Sequence, residues 1–187
     1  LMLADNPDGG GDFSFDSSRL ASLLTQYTTV KIHLEDFATA DAARQKLFEE
    51  LDSGAYFVNY IGHAGLDRLA GEGLLKSADV SSLENSDTFP VLTAMTCMVG
   101  RFEIPGVETL SENLLLKAGG GVAAVWAPSG PSLNNHAVLL AEKALTAREK
   151  TLGKAILKAM TEYALQGGQS FMLDIYNLLG DPAMELK

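Results

Sequence analysis

Residues 55–65, with the sequence AYFVNYIGHAG, constrain the fold more than any other part of the chain. Residues 56–61 are apolar or aromatic except for Asn59, which is the pattern of a strand covered on both faces in a parallel sheet. Gly62 ends this run. His63 is therefore predicted to lie at the carboxyl edge of the sheet, where open α/β folds usually carry their ligands and reactive groups.

A second strand of the same kind leads to the only cysteine of the chain. Residues 91–95 have the sequence VLTAM, and Thr96 and Cys97 follow directly. A lone cysteine cannot form an internal disulfide, so Cys97 is either a small buried hydrophobic residue or a reactive thiol. Because parallel strands end at the same edge of a sheet, Cys97 and His63 are predicted to lie near each other.

Strand and helix patterns alternate along the chain, which predicts an α/β fold with a mostly parallel sheet and right-handed crossovers. A capping box from Thr109 to Glu112 begins one helix. Asp16 or Ser17 is expected to begin another, whose apolar face extends to Tyr27.

The length of 187 residues predicts a single domain, residues 1–187, and its start inside an apparent strand indicates a longer precursor. The other predicted strands are residues 1–4, 30–34, 122–127 and 183–186, and the other predicted helices are residues 39–52, 132–147, 151–166 and 169–178.

The charge balance limits the partners. Fourteen basic residues against 24 acidic ones give a net charge of −10, which argues against a nucleic acid or an anionic membrane surface and favours a basic ligand or substrate. No run of residues approaches the roughly 18 apolar residues of a membrane span.

A cysteine and a histidine at neighbouring strand ends are the minimal parts of a thiol nucleophile with its base. Cys97 would attack a carbonyl carbon, and His63 would take the thiol proton or protonate the leaving amine. The backbone N–H groups of Cys97 and Ala64 are the natural donors for the resulting oxyanion. The alternative interpretation is a buried structural cysteine and a histidine with ordinary hydrogen bonds.

A glycine-rich acidic loop follows the first strand. Its acids allow three interpretations: a solvated loop, a calcium site made of oxygen ligands, or supports for a catalytic centre. The acids are Asp5, Asp8, Asp12 and Asp16.

The other two histidines have ordinary expected roles. His33 occupies a polar position in an alternating strand and is expected to be solvated. His136 follows two asparagines at a predicted helix start, where capping is the expected role. No second cluster of cysteine or histidine is present, so no zinc site is predicted.

Four motifs occur in a fixed order: NYIGH at residues 59–63, DV at 79–80 with Leu83 and Asn85, the segment from Phe89 through Cys97 to Phe102, and LGDP at 179–182. Together they resemble the gingipain family of cysteine peptidases, which shares its fold with caspases and legumains. The resemblance covers essentially the whole chain. It implies a caspase-like three-layer α/β/α sandwich and a cysteine endopeptidase with His63 and Cys97 as its dyad.

The resemblance also implies two acidic residues, one that orients the histidine and one in the pocket for a basic residue before the scissile bond. Asp5 and Asp8 are candidates for the first role, and Asp5 is selected as the catalytic acid. Asp12 and Asp16 are candidates for the second role, and Asp16 is selected. The loop after Trp126 is implied to lie beside the substrate, so Trp126 and Ser129 are further substrate-binding candidates.

The implied protein is a secreted or cell-surface bacterial peptidase that acts on peptides or proteins, with an expected preference for a basic residue. No cofactor is required, and calcium stays open as a structural ion. One departure concerns the residues after His63, where the family usually has Gly-Ser and this chain has Ala64 and Gly65. A positive φ at Ala64 would cost about 1 kcal/mol. The alternative function is an inactive caspase-like module of a larger protein.

Overall fold

A computed structural model of the chain describes residues 1–186. Strands and helices alternate in the order that the sequence predicts, with one additional short hairpin. The strands are β1 (Met2–Ala4), β2 (Lys31–His33), β3 (Phe57–Ile61), β4 (Arg68–Leu69), β5 (Leu75–Lys76), β6 (Val91–Met95), β7 (Ala124–Pro128) and β8 (Tyr176–Gly180). The helices are α1 (Phe13–Ala21), α2 (Ala40–Asp52), α3 (Leu110–Leu116), α4 (Asn134–Thr146), α5 (Leu152–Leu165) and α6 (Ser170–Ile175), with 3-10 turns at Leu34–Asp36 and Ser77–Ser82.

Six strands form one sheet in the order β2-β1-β3-β6-β7-β8. Neighbouring strands are parallel except β8, which runs antiparallel to β7. The two strands that the sequence identified as buried, β3 and β6, are neighbours at the centre of the sheet. Helices pack on both faces of the sheet at this position, which accounts for the nearly continuous apolar sequences of the two strands.

The side chains of each strand alternate between two hydrophobic cores, one on either face of the sheet. In β3, for example, Val58 and Tyr60 belong to one core and Ile61 belongs to the other. Helices α2 and α3 cover the first face, and α1, α4, α5 and α6 cover the second. The predicted α/β/α sandwich with a mostly parallel sheet is therefore confirmed.

Several predicted boundaries are wrong. Helix α1 ends at Ala21 and does not extend to Tyr27, and the helix predicted over residues 169–178 ends at Ile175, where β8 follows from Tyr176. Helix α1 begins at Phe13 because the Asp12 carboxylate, and not Asp16 or Ser17, accepts the capping hydrogen bond from the Phe15 N–H at 3.0 Å. The last strand of the sheet is β8, whereas residues 183–186 contribute only an isolated bridge between Glu185 and Thr151. The capping box at Thr109 and Glu112 is confirmed at the start of α3.

The predicted exposure of His33 is also wrong. His33 is 4% exposed, and its Nε2 lies 3.2 Å from Ser17 Oγ of α1. Helix α1 covers the face of the sheet that the alternating pattern assigned to solvent. Burial lowers the pKa of His33, because the charged imidazolium loses its hydration.

Candidate active site

The pairing register of β3 and β6 brings His63 and Cys97 to equivalent positions. The last residue pair of the two strands is Ile61 with Met95. His63 and Cys97 each lie two residues beyond this pair, at the carboxyl edge of adjacent parallel strands that are about 4.8 Å apart. The predicted meeting of the two residues at one edge therefore follows from the observed register.

Cys97 lies in a sharp turn that backbone hydrogen bonds hold. Met98 adopts a φ of 51°, which is uncommon for a residue with a side chain. The Met98 N–H donates to the Gly130 carbonyl at 3.2 Å. The Ser132 N–H donates to Cys97 Sγ at 3.3 Å, and the cysteine is partly exposed. Cys97 thus follows the end of β6 with a partly exposed thiol, and its sulfur has one backbone donor.

The ring of His63 is bound by Asp8. His63 Nε2 lies 3.0 Å from Asp8 Oδ2, and the side chains are 54% and 49% exposed. Asp8 Oδ1 accepts the Gly10 N–H at 2.7 Å, and this bond is the main cause of the lowered pKa of Asp8. Because a carboxylate only accepts, we assign the ring proton to Nε2, which leaves the lone pair of the neutral imidazole on Nδ1.

Two neighbours complete the surroundings of this ring. Gly10 lies against it, so that a Cβ at residue 10 would stand 3.0 Å from His63 Cε1. The ring of Phe13 meets the imidazole edge to face at a centroid distance of 5.2 Å. The glycine-rich loop therefore allows the imidazole to approach the backbone closely.

Asp5 binds the backbone of His63 and not its ring. It is 3% exposed, and its Oδ2 accepts the His63 N–H at 3.0 Å. The selection of Asp5 as the partner of the imidazole is corrected to Asp8 by this geometry. Asp5 follows β1, whose Ala4 pairs with Ile61 of β3, and its short side chain reaches the His63 backbone and the Tyr60 hydroxyl, 3.5 Å away, but not the imidazole. Burial raises the pKa of Asp5, and the N–H bonds that it accepts oppose this shift.

The sequence places Tyr60 in an apolar strand and in the NYIGH motif, and its hydroxyl binds the backbone of the candidate site. Tyr60 Oη donates to the His63 carbonyl at 2.5 Å, and the Ala70 N–H donates to the same oxygen at 2.8 Å. The tyrosine is fully buried, and burial raises its pKa well above the ordinary value. The apolar pattern of the strand indicated burial, but it carried no signal for the partner of the hydroxyl.

The N–H groups of Ala64 and Cys97 donate no hydrogen bond within residues 1–186. Both follow strand ends at the same edge as the thiol, and Ala64 is partly exposed. Within residues 1–186, the residues other than glycine with a positive φ are Ala70 and Met98. Ala64 is not among them, so it does not carry the backbone strain that a positive φ would cause. Two N–H groups without a hydrogen-bond partner in residues 1–186 are thus present at the edge of the sheet where Cys97 lies.

The three predicted substrate-binding residues lie in different surroundings. Asp16 is half-buried in the first turn of α1, where it accepts a hydrogen bond from Asn134 Nδ2 at 3.2 Å. Trp126 is fully buried and packs against Tyr176, so it is a core residue and not a pocket wall. Ser129 follows β7, and its hydroxyl donates to the Ile175 carbonyl at 3.2 Å.

His136 lies within α4, and its Nδ1 is 3.0 Å from Tyr163 Oη. The N-cap of that helix is Leu133, so the predicted capping role of His136 is wrong. Within the described residues, no group of three or more histidine, cysteine, aspartate or glutamate residues is arranged to hold a metal ion. None of the helices over the same range is long and apolar enough to cross a membrane.

Solved structures share this fold. The crystal structure of the Arg specific cysteine proteinase gingipain R (RgpB) matches 99% of this chain with a TM-score of 0.83 and 20% identity, and the match covers 47% of that chain. The complex of the pro- and mature domains of Porphyromonas gingivalis RgpB gives the same score and identity, with 99% and 48% coverage. A structure described as a protease matches with a TM-score of 0.72 and 14% identity over 97% of this chain and 48% of that one.

The chain spans about half the length of these solved structures. No curated protein matches it. The sequence profile of peptidase family C25 matches residues 1–187. The expected caspase-like fold and the resemblance to gingipains are both confirmed, and the chain belongs to peptidase family C25.

Proposed function

We propose that this chain is a cysteine endopeptidase in which Cys97 is the nucleophile and His63 is its base. The observation that carries the proposal is the equivalent position of the two residues, each two residues beyond the Ile61–Met95 pair of adjacent parallel strands. The hydrogen bond that His63 Nε2–H donates to Asp8 supports the proposal, because this tautomer leaves a lone pair on Nδ1. Family membership supports the same reaction class.

In the proposed first step, His63 Nδ1 takes the proton of the Cys97 thiol as Sγ bonds to the substrate carbonyl carbon. The carbonyl electrons move onto oxygen, and the N–H groups of Ala64 and Cys97 donate to the oxyanion. The C–N bond then breaks as the imidazolium protonates the leaving amine. Water attacks the thioester with His63 as base, which releases the acid product and restores the thiol.

The proposed substrate is a peptide or protein with a basic residue before the scissile bond. The net charge of −10 favours cationic partners. The matched gingipain R is described as Arg specific. Asp16 remains the candidate carboxylate for the basic side chain, and Ser129 a further candidate contact at the end of β7. The proposed location is the cell surface or the exterior of a bacterium, as a part of a longer protein.

Acyloxymethyl ketone probes that differ only in the residue next to the ketone test this proposal. We expect alkylation of Cys97, fastest for arginine or lysine probes, detected by intact mass and peptide mapping. The Cys97→Ala protein should take no label, and His63→Ala should label much more slowly. A folded wild-type protein that forms no adduct with any probe would contradict the peptidase proposal and favour the inactive module.

The proposal assigns no step to a cofactor. Calcium in the acidic loop stays a prediction, which the same labelling in EGTA and in added calcium checks. Equal labelling rates in the two solutions would show that labelling does not depend on calcium. If the rate falls in EGTA, urea unfolding in the same two solutions shows whether the ion acts through the stability of the fold.

A further inference from the structure

The peptide group between His63 and Ala64 is held at its carbonyl end by a buried side chain. Tyr60 Oη donates to the His63 oxygen at 2.5 Å, and the Ala70 N–H donates to it at 2.8 Å. Tyr60 is 0% exposed, so no solvent competes for its hydroxyl. Both donors approach the carbonyl from the protein side, and they fix its direction.

The direction of this carbonyl determines that of the Ala64 N–H. No peptide bond in the described part of the chain is cis, and in a planar trans peptide the C=O and N–H bonds point in opposite directions. Two donors that hold the His63 oxygen inward therefore turn the Ala64 N–H outward. That N–H donates no hydrogen bond within residues 1–186, and Ala64 is partly exposed.

The preceding peptide group is held as well. Asp5 Oδ2 accepts the His63 N–H at 3.0 Å and lies 3.5 Å from Tyr60 Oη. Gly62 makes room for both side chains, since a Cβ there would stand 2.3 Å from Asp5 Cβ and 2.6 Å from Tyr60 Oη. The backbone on both sides of His63 is thus bound to buried side chains, and neither side chain forms a hydrogen bond with the imidazole or the thiol.

We infer that Tyr60 is a positioning residue whose hydroxyl sets the orientation of the Ala64 N–H as an oxyanion donor. The inference rests on the proposed function, because it takes the oxyanion of a cysteine peptidase as the group that this N–H binds. Loss of a complete oxyanion donor lowers kcat by about 10²- to 10³-fold. Ala70 still holds the carbonyl when the tyrosine hydroxyl is removed, so a smaller effect of about tenfold is expected.

The test is the Tyr60→Phe variant, with Tyr163→Phe as its matched control. Tyr163 is also fully buried, and its hydroxyl also donates to a backbone carbonyl, the Gln169 oxygen at 3.2 Å, while His136 Nδ1 lies 3.0 Å away. Three quantities are compared: kcat and KM for a peptide substrate, affinity for the matching peptide aldehyde, and the rate of Cys97 alkylation by iodoacetamide. The aldehyde forms a tetrahedral adduct with an oxyanion, whereas iodoacetamide does not.

For Tyr60→Phe we expect kcat and aldehyde affinity to fall about tenfold, with KM and the iodoacetamide rate unchanged. The Tyr163→Phe protein should resemble the wild type in all three. Unchanged kcat and aldehyde affinity in a folded Tyr60→Phe protein would overturn the inference. An equal loss in iodoacetamide reactivity would also overturn it, since the tyrosine would then act on the thiol or the fold in general.

A crystal structure of Tyr60→Phe separates this inference from the proposed function. The 63–64 peptide is expected to depart from its wild-type direction or to occupy two directions. A single unchanged direction would overturn the inference even if the wild-type protein proves active. If the wild-type protein reacts with no acyloxymethyl ketone, the proposed function fails. The crystal structure of Tyr60→Phe still shows in that case whether Tyr60 controls the direction of the 63–64 peptide.

Discussion

The ends of β3 and β6 are held in different ways, although the two strands are neighbours and end at the same level. At the end of β3, three side chains contact His63, in addition to the Ala70 N–H: Asp8 binds its ring, and Asp5 and Tyr60 bind its backbone. At the end of β6, backbone groups make them, with the Ser132 N–H on the Cys97 sulfur.

The difference matches what each group needs for the proposed chemistry. A histidine base needs a defined tautomer and ring direction, which a carboxylate can select. A thiol nucleophile needs exposure and N–H donors nearby, which a turn supplies from its main chain. Point substitutions of side chains are therefore expected to disturb the histidine end much more than the cysteine end.

The largest effect is expected for Gly62→Ala at the histidine end. Gly62 has a φ of 151°, and an added Cβ would meet Asp5 Cβ at 2.3 Å, an atom that cannot rotate away. Strain and overpacking together are expected to lower the free energy of unfolding by about 3 kcal/mol. Urea unfolding measures this loss. Gly71→Ala is the control, because a Cβ added at residue 71 would have no other atom within 4 Å, and an equal loss in both variants would contradict the prediction.

A smaller effect is expected for Asp8→Asn. Asparagine can donate as well as accept, so it no longer selects the tautomer with the lone pair on Nδ1. Because Asp8 and His63 are about half exposed, the loss in kcat/KM should be about tenfold, far below that of a buried catalytic acid. Steady-state kinetics check this value. Asp67→Asn, at an exposed aspartate paired with Arg68, should keep the wild-type rate. If Asp8→Asn keeps the wild-type kcat/KM, the contact between Asp8 and the His63 ring has no role in catalysis.

Ser132→Ala tests the cysteine end and should change kcat/KM by less than about threefold, because the donor to Cys97 Sγ is the backbone N–H and alanine retains it. The lost contact between Ser132 Oγ and Tyr176 Oη, at 3.2 Å, should lower the free energy of unfolding by about 1 kcal/mol. A loss of kcat/KM as large as that of Asp8→Asn would show that side chains control this end too.

The smallest effect concerns a third strand end, that of β2, where His33 is buried whereas His63 is half exposed. Burial lowers the pKa of His33 in the folded protein. The unfolded chain therefore binds the proton more readily, and stability is lost as pH falls from the ordinary histidine pKa of about 6.5 toward the lowered folded value. His33→Gln should reduce the loss of unfolding free energy between about pH 8 and pH 5, measured by urea unfolding. An unchanged pH dependence would contradict this account.

The sequence by itself determined the centre of the molecule. The apolar runs that end at His63 and Cys97 are stable only when both faces of a strand are buried, so they could be assigned to the middle of a parallel sheet without coordinates. Once the strands were assigned, the common edge of the two residues followed, because parallel strands end on the same side. The capping box that begins α3 could also be predicted, because it depends only on the neighbouring residues Thr109 and Glu112.

Only the tertiary structure decided which groups surround the histidine. The sequence does not distinguish Asp5 from Asp8 as the acid that binds the imidazole. The pairing of β1 with β3 places Asp5 beside the His63 backbone. The turn from Asp8 to Gly11 places Asp8 beside the His63 ring. The burial of His33 under α1 likewise depends on how a helix from another part of the chain packs on the sheet. Local periodicity shows which residues share a face of a strand, but for His33 it did not show that a helix covers the polar face. It carries no information about which atom covers a side chain, because that choice depends on the packing of distant elements.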